Sequence, residues 1–214
     1  MPRVANPRSP QQKRAPRARL ATVALENGPH PGVERREIAR RIHAMIDLLQ
    51  LQESEVSFLL TDDATVHELN KSYRKINRPT DVLAFALREG DFAELAGAAL
   101  GDVVISVHTA RKQADERGAA LVDEITMLAA HGLLHLLGWD HDTPAKDRRM
   151  RAETDRLCAA ARPPRRSSGG RTGAPRAGRS KGAAERALSQ KPDVAPRGES
   201  KKNLKALRKV RART

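Results

Sequence analysis

The stretch His131-Gly132-Leu133-Leu134-His135-Leu136-Leu137-Gly138-Trp139-Asp140-His141 decides how the rest of the chain is read. Its pattern, H-x-x-x-H-x-x-G-x-x-H, spaces three imidazoles so that they can converge on one metal ion. Histidines four residues apart lie about one turn apart on the same face of an α-helix. Gly138 then ends the helix, because glycine takes the left-handed conformation at little cost. Beyond it the chain folds back and brings His141 to the same point. An i, i+4 histidine pair alone is commonly incidental; the glycine stop and the third histidine turn it into a ligand set. The interleaved leucines bury the helix and shield the metal. Three neutral imidazoles leave one tetrahedral position open on zinc, the arrangement of catalytic rather than structural zinc.

Working outward, the histidine helix is expected from Leu121 to Leu137. Upstream, Ala21–Glu26 reads as a strand closed by Asn27-Gly28-Pro29, and Val33–Leu51 as a helix with Ile38, Ile42, Met45, Ile46 and Leu49 at helical spacing. Val56–Leu60 reads as a buried strand. It leads into a helix carrying Val66, Leu69 and Tyr73, with Asp62 or Asp63 as N-cap. Thr80–Leu87 and Gly101–Val107 are further strands, Thr109–Glu116 a helix closed by Gly118, and Pro144–Ala160 a last amphipathic helix with proline in its first turn. The fold class is therefore α+β: a single domain with a mixed sheet of about four strands packed by about five helices, and the metal site at the end of one helix.

Charge divides the 214 residues into three segments. Residues 1–20 hold six Lys/Arg and no acid, residues 161–214 hold 17 against three acids, and residues 21–160 hold 17 against 23. The net charge of +14 thus belongs to the two ends. Residues 1–20 read as a basic arm, and residues 161–214, rich in Arg, Gly, Ser, Pro and Ala with no aromatic residue, as a low-complexity tail. Neither buries enough apolar surface to offset the entropy of ordering, so disorder is expected in both. Within the tail, Lys201–Val210 carries Leu204 and Leu207 among lysines and can turn helical on a polyanion. Basic extensions attract RNA by neutralising phosphates, without regard to sequence. The single cysteine, Cys158, excludes an internal disulfide and fits the cytoplasm. No apolar run approaches the ~20 residues that span a bilayer, so no membrane partner is expected. The N-terminal stretch lacks the apolar core of a secretory signal, and its prolines oppose the amphipathic helix of a transit peptide.

The histidine spacing is that of the metzincin proteases, H-E-x-x-H-x-x-G-x-x-H, whose glutamate acts as general base. Gly132 stands in that place, and neither Asp140 nor Asp142 occupies the helix position beside the first histidine. A protease reading keeps its metal and loses its base. RNA cleavage suffers less, because RNA carries its own nucleophile, the 2′-hydroxyl. Its barrier falls chiefly by stabilising charge on the phosphate, which metals and arginines do well. Lys71, Tyr73, Arg74 and Lys75 offer cations around an aromatic ring for RNA. The same residues read equally well as a solvated helix end.

Four blocks, Leu69-Asn70…Tyr73-Arg74, Pro79-Thr80-Asp81-Val82-Leu83…Phe85, Gly101-Asp102-Val103…Ile105-Ser106 and His131-Gly132…Leu134-His135-Leu136-Leu137-Gly138…Asp140-His141, together resemble the YbeY family of bacterial endoribonucleases and ribosomal RNA maturation factors. Glycine at position 132 is usual for that family. The resemblance implies an α+β fold with one zinc ion held by His131, His135 and His141 in a cleft, and a functionally important arginine at Arg74. Arg74 and His131 are accordingly the expected catalytic residues. It further implies metal-dependent cleavage of single-stranded RNA, maturation of the 3′ end of small-subunit (16S) ribosomal RNA, and ribosome quality control. A small-subunit ribosomal protein and the Era-type GTPase are the implied protein partners. Ala84 and Ala86 depart from the serine and proline usual around Phe85, and the tail lies outside the resemblance. The competing readings are an RNA-binding assembly factor with structural zinc and, further off, a metalloprotease; a fourth protein ligand would favour the former. Asp81 and Asp102 are read as turn or strand-end carboxylates, His108 as a surface residue, His43 and His67 as incidental, and Trp139 as packing for the metal loop.

Overall fold

Along Val82–Phe85 alternate side chains enter different cores, as a strand covered on both faces requires. Val82 and Ala84 join a large core, and Leu83 and Phe85 a small one. The structure, a computed structural model, describes residues 21–88 and 96–163. The basic arm and all but the first residues of the tail, including Lys201–Val210, lie outside the described residues. The elements are β1 (Ala21–Leu25), α1 (Arg35–Leu48), β2 (Glu55–Thr61), α2 (Asp63–Arg74), β3 (Val82–Ala86), β4 (Ala99–Ser106), α3 (Val107–Arg117), α4 (Leu121–Leu136) and α5 (Pro144–Ala161). The four strands form one mixed sheet in the order β1-β2-β4-β3. β1, β2 and β4 run parallel, and β3 pairs antiparallel with β4. This is the expected α+β class.

On one face, Ile38, Ile42 and Met45 of α1, Ile125, Leu128 and Leu133 of α4, and Met150 and Leu157 of α5 meet Val56, Phe58, Val103 and Ile105 of the sheet. On the other, α2 lays Val66, Leu69 and Tyr73 on Leu59, Leu83, Phe85 and Val104. Of the two possible caps for α2, Asp62 serves, accepting the Thr65 N–H at 2.9 Å. Asp63 instead accepts from the hydroxyls of Ser106 and of Thr109 (2.8 Å for the latter), tying α2 to the junction of β4 and α3. That junction explains why α3 starts two residues before the expected Thr109: the Ser106 hydroxyl caps it by accepting the Thr109 N–H at 3.1 Å. Asp81 accepts the Val82 N–H at 2.9 Å and Gln113 Nε2 at 2.9 Å, so β3 begins at Val82 rather than Thr80.

Helix α4 lies across β3 and β4 at very short range, and Gly132 makes this possible. A Cβ there would stand 2.6 Å from Val103 Cγ1 and 3.3 Å from Val82 Cγ2. The helix runs opposite to β4, so Leu136 sits over the amino end of that strand at Gly101. There a β-bulge and a φ of +148° bring the glycine against the Phe85 carbonyl. Gly132 faces the sheet interior, so a glutamate there would drive its carboxylate into the core rather than toward the histidines.

Replacing Gly132 with alanine should destabilise the protein by about 1–3 kcal/mol through overpacking. Urea unfolding checks this, with a lower midpoint and unchanged slope expected.

Candidate metal centre

His131 and His135 occupy the last two turns of α4, and His141 follows its end. The helix stops in a Schellman motif: Gly138, at φ +79°, donates to the His135 carbonyl at 3.0 Å, and Trp139 donates to that of Leu134 at 3.1 Å. Trp139 is half-buried against the large core, as expected, and anchors the reversal. The returning chain places the His141 ring 5.3 Å from that of His135 and 5.7 Å from that of His131, which are themselves 4.8 Å apart. One nitrogen from each ring lies within 4.8 Å of the others. His131 and His135 are buried and His141 half-buried.

The chemistry of this trio fits a metal ion. His131 Nε2 and His141 Nε2 are buried and have no hydrogen-bond partner among the described residues, and the His135 ring, also buried, meets only the Trp139 backbone. Such groups are costly unless something binds them. Burial, aided by the neighbouring His141, pushes His131 down to about 4. Burial, with His131, His141 and Arg74 adding repulsion, pushes His135 down to about 3. Both rings are therefore neutral at physiological pH and offer lone pairs, as metal ligation demands. Among the described residues no carboxylate or thiolate joins the group, and an all-imidazole set suits zinc and its transition-metal neighbours.

The loop carrying His141 is held from α5. Asp140 Oδ1 accepts the His141 N–H at 2.6 Å. Lys146 Nζ lies 2.9 Å from Asp142 and 3.7 Å from Asp140, and the Thr143 hydroxyl caps α5. In the next turn Asp147 and Arg151, paired at 2.9 Å, bear on His131 with opposite signs. Sequence reasoning missed these α5 residues. The i, i+4 spacing of Asp142 and Lys146 was a readable signal; the turning of Asp147 toward the histidines is a tertiary fact with none.

Arg74 is the last residue of α2 and only 6% exposed. Burial pushes its guanidinium down to about 9, which leaves it charged at neutral pH, and that charge reaches His135. Lys75 terminates the helix in the left-handed conformation, φ +61°. Asn70, wholly buried, donates to the Arg78 carbonyl at 2.8 Å and holds the following turn. Lys71 and Lys75 are exposed, while Tyr73 is half-buried with its ring edge-on to Phe85 at 5.5 Å. The structure thus brings the three histidines and Arg74 into one neighbourhood, leaves the two lysines at its rim, and commits part of the Tyr73 ring to the small core. His108 is exposed, and His67 and His43 bond to Asn77 and to the Ala39 carbonyl, away from the centre.

The profile of the family described as Endoribonuclease YbeY matches residues 29–162. The chain belongs to the YbeY family. An endoribonuclease YbeY of Desulfitobacterium hafniense is 42% identical over 135 residues, covering 61% of this chain and 84% of its own length. One from Acaryochloris marina is 46% identical over 120 residues, covering 54% and 68%. Among solved structures, a solution structure from Thermotoga maritima is 22% identical, covers 65% of this chain and 88% of its own, and has a TM-score of 0.48. The YbeY match contains all three histidines and Arg74 and stops where the basic tail begins.

Two outcomes follow from the geometry. In the unfolded chain imidazoles take protons near 6.5, whereas His131 and His135 stay neutral to about 4 and 3 in the folded protein. The unfolded state then binds more protons across that window, so the metal-free protein should lose stability as pH falls from 6.5 to 4. Urea midpoints of chelator-treated protein, compared with those of His135→Gln, check this; the variant should show a shallower fall. Separately, Lys146→Ala should weaken zinc binding about fivefold, a modest loss because the ion pairs are half-exposed and screened. Competition with a chromogenic chelator measures it, and Lys146→Arg should restore affinity.

Proposed function

We propose that the chain is a zinc-dependent endoribonuclease that cuts single-stranded RNA. The observation that carries this is three converging imidazoles, of which His131 and His135 are buried and neutral and His141 is half-buried, with a buried arginine beside them. When bound, the metal supplies Lewis-acid charge next to the scissile phosphate. His131, His135 and His141 hold it, which gives His131 its place in catalysis. Arg74, charged and desolvated, grips the non-bridging phosphate oxygens through its two-pronged donor set, and does so more strongly than an exposed arginine would. Lys71 and Lys75 neutralise flanking phosphates at the rim, and the exposed part of Tyr73 offers a surface for a base. No side chain stands at Gly132 to act as base, which suits a substrate bearing its own 2′-hydroxyl nucleophile.

Residues 21–160 form the catalytic domain in this reading, with basic extensions on either side. The role is maturation of the 16S ribosomal RNA 3′ end and ribosome quality control in the cytoplasm, with the small subunit, one of its proteins and an Era-type GTPase as partners. Family membership supports the nuclease chemistry. No single helix among the described residues is long and apolar enough to cross a membrane. The alternative of a non-catalytic assembly factor calls for a fourth protein ligand, and the metal group among the described residues has three members.

Cleavage of a labelled single-stranded RNA by zinc-loaded protein tests the proposal, with a duplex of the same sequence as control. His131→Ala, Arg74→Ala and chelation should each lower the rate by at least about 100-fold. Cleavage that survives all three belongs to a contaminant. Zinc-loaded protein that binds the RNA without cutting it is the assembly factor.

A further inference from the structure

We propose that His30, Asp62 and His108 form a second metal site, for one divalent transition ion such as zinc, at the end of the sheet opposite the histidine trio. The site goes beyond the endoribonuclease reading and does not depend on it. Strands β1, β2 and β4 are adjacent and parallel, and their ends are level, with Leu25 beside Leu60 and Thr61 beside Ser106. Asp62 follows the last residue of β2, His108 stands two residues past β4, and His30 lies in the turn after β1. The space beyond the carboxyl ends of parallel strands is where open sheets take ligands. The trio lies at the other end, since Leu136, next to His135, sits against Gly101 near the amino end of β4.

His30 carries the argument. It is only 9% exposed, and its Nε2 lies 2.8 Å from the Glu26 carbonyl. A carbonyl only accepts, so Nε2 bears the hydrogen and Nδ1 keeps its lone pair. That Nδ1 is buried with no hydrogen-bond partner among the described residues. One ring nitrogen donated to a backbone carbonyl, with the other's lone pair unused, is how proteins set a histidine to bind metal. The His30 turn is fixed to α3: Arg111 donates to the Pro31 carbonyl, and the His108 ring stands edge-on to that of His30 at 6.3 Å. Bonds from the Thr65 backbone and hydroxyl hold the Asp62 carboxyl below its usual range, and His108 and His30 lower it further. An ionised carboxylate thus lies within electrostatic reach of both rings. Asp62 and Asp63 repel an anion, whereas two imidazoles and a carboxylate suit zinc, nickel or cobalt. Among the described residues only the trio already has three ligand atoms within 4.8 Å of one another. Here His108, exposed in the first turn of α3, completes the set by turning about its side-chain bonds. The amino ends of α2 and α3 oppose a cation, so binding is weaker than at the trio.

The test is calorimetric titration of zinc into chelator-treated full chain, which should take up two equivalents, the second more weakly. All seven histidines lie among the described residues, so no imidazole elsewhere in the chain competes. His141→Ala should weaken the first equivalent and spare the second. His108→Gln, at an exposed position, should lose the second and keep the first. Asp62→Asn, which still caps α2, should weaken the second about tenfold. His43→Gln, which removes an imidazole of α1, should change neither. In NMR spectra of nitrogen-labelled histidine rings, the second equivalent should shift the His30 Nδ1 resonance and the first should leave it in place. A full chain that binds one equivalent overturns the inference. So does a second equivalent that persists in His108→Gln, falls equally in His43→Gln, or leaves His30 Nδ1 unmoved. Both equivalents as expected, in a zinc-loaded chain that never cuts RNA, would uphold the site and remove the nuclease reading.

Discussion

The close approach of α4 to the sheet is the constraint on which the rest depends. Without a side chain at Gly132 the helix backbone can settle onto Val103 and Val82, and this fixes both its height and its rotation. Rotation matters most. With residue 132 turned inward, His131 and His135 share one flank, and the charge of Arg74 reaches His135 there. A helix held farther off by even one methyl group would shift both rings relative to that arginine. The glycine that removes the protease base is thus the same feature that builds this centre.

Burial then does the electrical work. The domain is net acidic, yet the atoms at its centre are two imidazoles kept neutral by removal from water and a guanidinium that stays charged in spite of it. Desolvation disfavours the protonated form in each case, but the ordinary values differ so widely that only the histidines lose their protons. One environment therefore yields lone pairs for a metal and a permanent cation for a phosphate.

Much of this was legible in the chain. The i, i+4 histidines, the glycine stop and the alternation in the strands are local patterns, and the structure realises them with boundaries shifted by up to three residues. What sequence left open was tertiary. Either Asp62 or Asp63 could cap α2, and only the arrival of Ser106 and Thr109 decides which one is needed elsewhere. Tyr73 reads as a free aromatic until β3 brings Phe85 beneath it. Lys146, Asp147 and Arg151 belong to the centre because α5 folds back along α4, and no periodicity announces that.

The three histidines fall within eleven consecutive residues, whereas Arg74 lies 57 residues before the first of them. The two halves of the centre therefore differ in when they can form. Ligation needs one helix and one reversal, events that close quickly and locally. Apposition of Arg74 needs α2, β3 and β4 all to be in place, with the slow loop closure such long-range contacts demand. The ligand set is thus a local product of one helix and one reversal, whereas the arginine proposed to grip phosphate arrives only through the long-range contacts of the sheet.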